Sequence, residues 1–493
     1  MASSSLSLRP TTPQTHPLDL LEIRTLIALY LGRQELGQCI LVSRKWSENF
    51  LPIYWRYVNI SPPKLARCHA SALQSHGQHV RILLAGRIEE SSVFNQTSVA
   101  HVQELDAMSC VSKHKDDEGR GCLREILERN KESLVTLCWR CYGRDTLLRR
   151  PHRIWADMLE GLQNLVRLHL MNWALARSDF VVILRSCPVL KYLTMEACEE
   201  TWTPVGYKND TAAQDAESDY TQLEKEEREF IHNNLETLEF NGNLIPSFLR
   251  YIPRIHSLTL RHILNGDFRD LEAQLLRSPS DTLSQVKNLT VLSGCSSRAA
   301  FMALINAIPC LQSFDGDIPP EVMDDFLETV LQKHSQVLEK MVLQEYPFDN
   351  TAQFRFNFWR FLESCPQLVQ LEISYSLREC LTWTTVQPQE DDDLSALSSM
   401  SFLRLYEPTK EWVCHDLKRL HLRIKDMDIH RPMDQITFDL CVDRLLPPEE
   451  KRDNSRRTRS DLERLILERL SALEKLEELN IGGGWYTLMP RGQ

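Results

Sequence analysis

LVRLHL, residues 165–170, places Leu165, Leu168 and Leu170 at its first, fourth and sixth positions. In a β-strand successive side chains point to opposite faces. The fourth and sixth residues therefore share a core face, and the third and fifth, Arg167 and His169, point away from it. The string returns as LVTLCW (134–139), LKYLTM (190–195), LETLEF (235–240), IHSLTL (255–260) and VKNLTV (286–291). It continues as LQSFDG (311–316), LEKMVL (338–343), LVQLEI (368–373), LKRLHL (417–422) and LEELNI (476–481). Weaker copies begin at Val80 (VRILLA) and Val102 (VQELDA). From Leu134 to Leu368 successive copies start 31, 25, 45, 20, 31, 25, 27 and 30 residues apart. One copy carries little weight, but an ordered series marks a stack of repeated units.

The stretch before several copies is amphipathic and helical in pattern, as in DFVVILR (179–185). A proline then stands two residues before the first apolar position, at Pro188, Pro253, Pro309 and Pro366. Proline cannot continue a helix, so each unit reads as helix, proline stop and strand. Such a unit buries its apolar face only by stacking on its neighbours. Two polar, charged segments, near 199–229 and 380–393, read as solvated insertions. A basic, Pro-containing break (445–459) precedes a last helix expected at 461–474.

Upstream lies HPLDLLEIRTLIALYLGRQELGQCILVSRKWSENFLPIYWRYVNI, residues 16–60. Ile23, Leu26, Ile27, Tyr30 and Leu31 form one helical stripe. Asp19 and Glu22 suggest a capping box at its start, and Gly32 a left-handed cap at its end. A second helix is expected from about Gln34 to Leu41, with Leu36, Cys39 and Ile40 on one face. A third starts near Ser43, sets Val42, Trp46 and Phe50 on one side, and should stop at Pro52. Three helices in about 45 residues bury little surface alone. Either the rest of the chain or a partner covers them.

This stretch resembles the F-box, the adaptor-binding module of cullin–RING ubiquitin ligases. The matching residues are Leu20, Glu22, Ile23, Ile27, Leu31 and Leu36, then Val42-Ser43-Arg44-Lys45-Trp46, then Trp55 before Val58. The Leu-rich strings and the junctions SCPVL and SCPQL resemble the leucine-rich repeats found C-terminal to F-boxes, and most steps fall near that repeat's 20–29 residue period. The implied fold is α/β: a tail (1–15), a small helical F-box (16–60) and an irregular leucine-rich-repeat solenoid (61–493) whose strands line a concave side. The implied function is substrate recognition for a cullin–RING ligase. A Skp-type adaptor would bind Leu20, Ile23, Ile27, Leu31, Leu36, Val42 and Trp46, and bring the cullin scaffold with it. An unidentified protein substrate would meet the third and fifth positions of the repeats. These are Arg167, His169, Tyr192, Thr194, Thr237, Glu239, Ser257, Thr259, Gln370, Glu372, Arg419 and His421, with Arg423 beyond. The alternatives are an interaction scaffold whose helices merely cap the repeats, and an enzyme with a repeat appendage.

Composition narrows the classes. The net charge of −11 is spread with mixed signs, which argues against a nucleic-acid partner. No run of eighteen apolar residues is present, so no membrane-spanning helix is expected. The start, MASSSLSLRPTTPQTHP, has no apolar core and reads as a Ser/Thr/Pro tail. Of fourteen cysteines only Cys138 and Cys141 form a C-x-x-C. The expectation is reduced, mostly buried thiols in a cytoplasmic or nuclear protein. No nucleophile elbow, P-loop, zinc-protease helix or dinucleotide turn occurs. No catalytic residue, metal or cofactor is expected.

Overall fold

The computed structural model describes residues 20–60, 71–87, 98–110, 116–142, 158–175, 177–200, 230–242, 249, 251–261, 283–292, 298–318, 322–346, 359–376, 412–425, 473, 475–482 and 484–487. The expected tail, the insertion at 380–393, the basic break and nearly all of the expected last helix lie outside them. The insertion expected at 199–229 is described only at Glu199 and Glu200, which close a strand. The class is α/β, as expected, with helices and a largely parallel set of strands along the chain. The chain forms two compact units, one of Met1–Leu148 with Ile154–His169, the other of Arg149–Arg153 with Leu170–Gln493.

In the first unit, helices α1 (Leu21–Tyr30), α2 (Arg33–Val42) and α3 (Arg44–Tyr54) stand where expected. Their core is small: Ala28, Leu36 and Phe50, with Leu31, Cys39, Ile40, Trp46, Ile53 and Tyr54 packed against it. Four local readings are corrected. Gly32 is extended, at φ −69° and ψ 163°, and opens α2 instead of capping α1. Its N–H donates to Glu35 Oε2 at 2.6 Å, so the reciprocal carboxylate cap forms there. At the start of α1, Leu20 occupies the N-cap position with no side-chain bond. Pro52 lies inside α3 and does not end it. A proline forfeits its own N–H bond to the carbonyl four residues back and crowds that carbonyl with its ring, yet Trp55 N–H still donates to the Leu51 carbonyl at 3.0 Å. Val42 is exposed, so only Trp46 and Phe50 of the expected α3 face turn inward.

Strand β1 (Tyr57–Asn59) leads from α3 into a parallel series with β2 (Ile82–Arg87), β3 (Glu104–Cys110) and β4 (Thr136–Tyr142). The weaker strings at Val80 and Val102 are thus full members. Helix α4 (Asp116–Asn130) precedes β4, and β5 (Arg167–Met171) follows it.

In the second unit, β6 (Ala174–Leu175), helix α5 (Arg177–Ser186), β7 (Tyr192–Glu200), β8 (Thr237–Gly242), β9 (Ser257–Arg261) and β10 (Asn288–Leu292) come first. Helices α6 (Arg298–Ala307), α7 (Met323–His334) and α8 (Trp359–Ser364) then alternate with β11 (Ser313–Gly316), β12 (Lys340–Tyr346) and β13 (Gln370–Ser376). Strands β14 (Arg419–Lys425), β15 (Glu478–Gly482) and β16 (Gly484–Thr487) close the order. From β7 to β15 each strand lies parallel to the next in order. Strand β16 runs back antiparallel on β15 with Gly484 opposite Ile481.

The repeats share one entry. Helices α5, α6 and α8 each end two residues before Pro188, Pro309 and Pro366, because the residue preceding a proline is driven out of the helical region. The N–H of the first apolar residue then closes onto a buried residue three back, as in Leu190 to Cys187 at 3.1 Å and Leu368 to Cys365 at 3.2 Å. The next two N–H groups donate together to one carbonyl of the preceding repeat; Lys287 and Asn288 both reach His256 at 2.9 and 3.0 Å. The fourth and sixth positions are then buried, for example Leu238 with Phe240 and Leu258 with Leu260. Aromatic rings fill the space behind β11, with Phe326 at 4.7 Å from Phe314 and 5.5 Å from Phe301 between centroids. At the sixth position of LQSFDG only glycine fits. Gly316 has φ 157°, and a Cβ there would stand 1.9 Å from the Val291 carbonyl oxygen.

Candidate interaction surfaces

On α1 the inward line is Arg24 and Ala28, both buried, flanked by half-buried Ile23, Ile27 and Leu31. Arg24 Nη1 donates to the Lys45 carbonyl at 3.4 Å, which lets a cation face α3. The expected apolar stripe therefore splits. Leu26 and Tyr30 turn outward with Leu21 and Leu29, and Tyr30 is 88% exposed. Leu41, 79% exposed, and Val42 do the same at the end of α2. Of the residues expected to meet an adaptor, Leu20 and Val42 are exposed; Ile23, Ile27 and Leu31 are half-buried. Leu36 is buried in the unit's own core, and Trp46 stacks on Phe50 at 5.2 Å between centroids, so both serve packing here. The exposed residues Leu21, Leu29 and Leu41 escape the sequence reading, which set Leu26 and Tyr30 on one stripe with Ile23, Ile27 and Leu31. A single helical stripe cannot represent a helix that is apolar on two sides.

The strand face opposite the core is a set of cross-strand polar pairs. In the first unit Arg167 is exposed, and His169 is half-buried with Nδ1 3.6 Å from Cys138 Sγ. Burial pushes the Cys138 thiol up, away from the reactive thiolate. Beside it Arg140 Nη2 meets Asp106 Oδ2 at 2.8 Å.

In the second unit Tyr192, Thr194, Thr237, Glu239, Ser257, Thr259, Gln370 and Glu372 are half-buried, and Arg419 is exposed. The side chain of Arg423 lies outside the described residues. Glu239 pairs with Arg261 at 2.7 Å, and Lys340 with Asp315 at 2.8 Å. Asp315 also accepts from Gln344 at 2.7 Å. His421, expected to point at a partner, is instead only 2% exposed. Its neighbours on both sides are carboxylates, Glu372 at 3.1 Å and Glu478 at 3.4 Å. Arg419 Nε also reaches Glu478, at 3.3 Å.

The sequence reading missed Arg140, Arg261 and Gln344. All three stand one step beyond the six-residue string, at the next outward position of the same alternation. Glu239 and Arg419, both expected to meet a partner, already have cross-strand partners of opposite charge.

Three buried polar side chains tie successive repeats together. Asn130 Oδ1 accepts from Val102 N–H at 2.7 Å while its Nδ2 donates to the Ile126 carbonyl at 2.7 Å. His334 Nδ1 accepts from Leu311 N–H at 3.3 Å, and His232 Nε2 lies 3.1 Å from the Cys187 carbonyl. Burial pushes His334 down to about 4 and lowers His232 as well. The buried thiols of Cys187 and Cys365 are pushed up to about 12, again mainly by burial. These groups suit packing and not proton transfer near neutrality.

Compared with known proteins, the chain matches no family model, and no curated protein is significantly similar to it. Among the described residues no group of three or more His, Cys, Asp or Glu is placed to hold a metal ion, and no helix is long and apolar enough to cross a membrane.

Proposed function

We propose that this chain is the substrate-recognition subunit of a cullin–RING ubiquitin ligase. In this reading α1–α3 are an F-box that docks a Skp-type adaptor linked to the cullin scaffold. The strand repeats are an irregular leucine-rich-repeat solenoid that holds a target protein. The chain does no bond chemistry itself; ubiquitin transfer belongs to other subunits. Its contribution is proximity, which raises the effective concentration of target lysines at the ligase.

The observation that carries the reading is the apolar surface of α1 and of the end of α2. Leu26, Leu29, Tyr30, Leu41 and Val42 are exposed in a chain whose strand repeats bury their apolar positions. Exposed apolar side chains in such number mark a binding surface. The half-buried third and fifth positions, Tyr192, Thr194, Thr237, Ser257 and Thr259 among them, form the polar surface assigned to the target.

A scaffold without a ligase role is the second reading. It is favoured by one fact: α1–α3 belong to the same compact unit as β1–β4, as a cap would. Affinity capture of the full chain separates the two. Leu26→Asp with Leu29→Asp should abolish recovery of a Skp-type adaptor while circular dichroism stays unchanged. Interface anchors of this kind cost about 2 kcal/mol or more when truncated. No adaptor with the wild-type chain, or equal recovery with the folded double variant, would sink the F-box assignment.

A further inference from the structure

We propose that the imidazolium of His421 is a proton-dependent clasp that joins β13, β14 and β15. Its ring is buried, and both of its nitrogens face carboxylates on neighbouring strands. Nδ1 is 3.1 Å from Glu372 Oε1 on β13, and Nε2 is 3.4 Å from Glu478 Oε2 on β15. A neutral imidazole has one N–H and one lone pair. It can donate toward one carboxylate only and turns its lone pair on the other. The cation presents an N–H to each side: Nδ1 toward Glu372, and Nε2 toward Glu478, where the 3.4 Å approach is an ion pair without a hydrogen bond.

The surrounding charges fit this count. From β13 the facing group is Glu372, whose Oε1 also accepts from Gln370 Nε2 at 2.7 Å. From β15 it is Glu478, which Arg419 of β14 also reaches at 3.3 Å. Among these four side chains, with His421 protonated, two carboxylates stand against two cations. Without that proton one negative charge is left over in a site where His421 is buried and Glu372 half-buried. An uncompensated charge is costly in such a place. The strands joined are far apart in the chain, since Glu372 and His421 are partners in the ladder and His421 is in turn opposite Asn480.

The clasp therefore contributes stability in mildly acidic solution and loses it as pH rises through the imidazole's titration. This sign is opposite to that of a histidine buried without a carboxylate. The proposal does not depend on the ligase reading, because the event lies within the chain.

Hydrogen exchange on the full chain tests it, with rates corrected for intrinsic pH dependence. The amides of residues 419–425 and 478–482 should lose about tenfold in protection between about pH 5.5 and about pH 8, while those of 237–242 and 257–261 change little. His421→Gln should remove the pH dependence. Glu478→Gln alters the more exposed partner and should reduce the change by about half on a logarithmic scale. Flat protection in the wild type, or the same pH dependence in His421→Gln, overturns the clasp. If His421→Gln does not fold, Glu478→Gln decides: an unreduced pH dependence there overturns the clasp as well.

Discussion

Helices α1–α3 and the strand repeats use apolar residues in opposite ways. In the repeats, Leu238, Leu258, Leu289, Phe314, Met341 and Leu371 all sit at the fourth position and are all buried. In the helices, Leu21, Leu26, Leu29, Tyr30, Leu41 and Val42 remain exposed around a core centred on Ala28, Leu36 and Phe50. The difference follows from architecture. A repeat is covered on both sides by its neighbours, whereas three short helices have too little partner surface to cover every face. The repeats bury their fourth-position residues, and the helices leave apolar area exposed.

The largest expected effect lies in the repeats. Phe326 is fully buried against Phe301 and Phe314. Phe326→Ala should cost about 3–5 kcal/mol, read as a fall in the melting midpoint. A loss below about 1 kcal/mol would mean that the aromatic cluster collapses around the gap.

Next comes acid. His334 is held near 4, below its ordinary value near 6.5, because burial disfavours the cation. The unfolded chain takes up the proton first, so this contribution is complete above pH 6.5 and falls away as pH drops toward 4. The integrated loss is about 3 kcal/mol, and His232 acts with the same sign. His334→Gln should flatten the fall of the melting midpoint on acidification, where the wild type declines. An identical acid profile in the variant would contradict the burial argument.

The smallest effect belongs to the helices. Leu29 is exposed, so Leu29→Ala should change stability by about 0.5 kcal/mol or less. A destabilisation matching that of Phe326→Ala would erase the contrast between the two regions.

Much of the repeat was legible because its signal is local. Alternation of period two assigns each residue of LETLEF or IHSLTL to a face without knowledge of any neighbour. A proline two residues before the strand likewise ends the helix by its own covalent geometry. The weak strings at Val80 and Val102 were legible too once register joined them to their neighbours. The candidate surfaces were legible only in part. Cross-strand partners such as Glu239 with Arg261, or Glu372 with His421, are set by register between segments separated by tens of residues.

The amino-acid sequence alone determined that the chain is α/β, where most described strands begin, which residues of each face the core, and where α1–α3 lie. Those properties rest on steric and hydrophobic preferences within a few residues. Only the tertiary structure decided that Arg24 turns inward while Leu26 and Tyr30 turn out, that β16 folds back on β15, and that His421 is enclosed between two carboxylates. Each of these depends on what another segment places alongside, and a linear pattern carries no record of that neighbour.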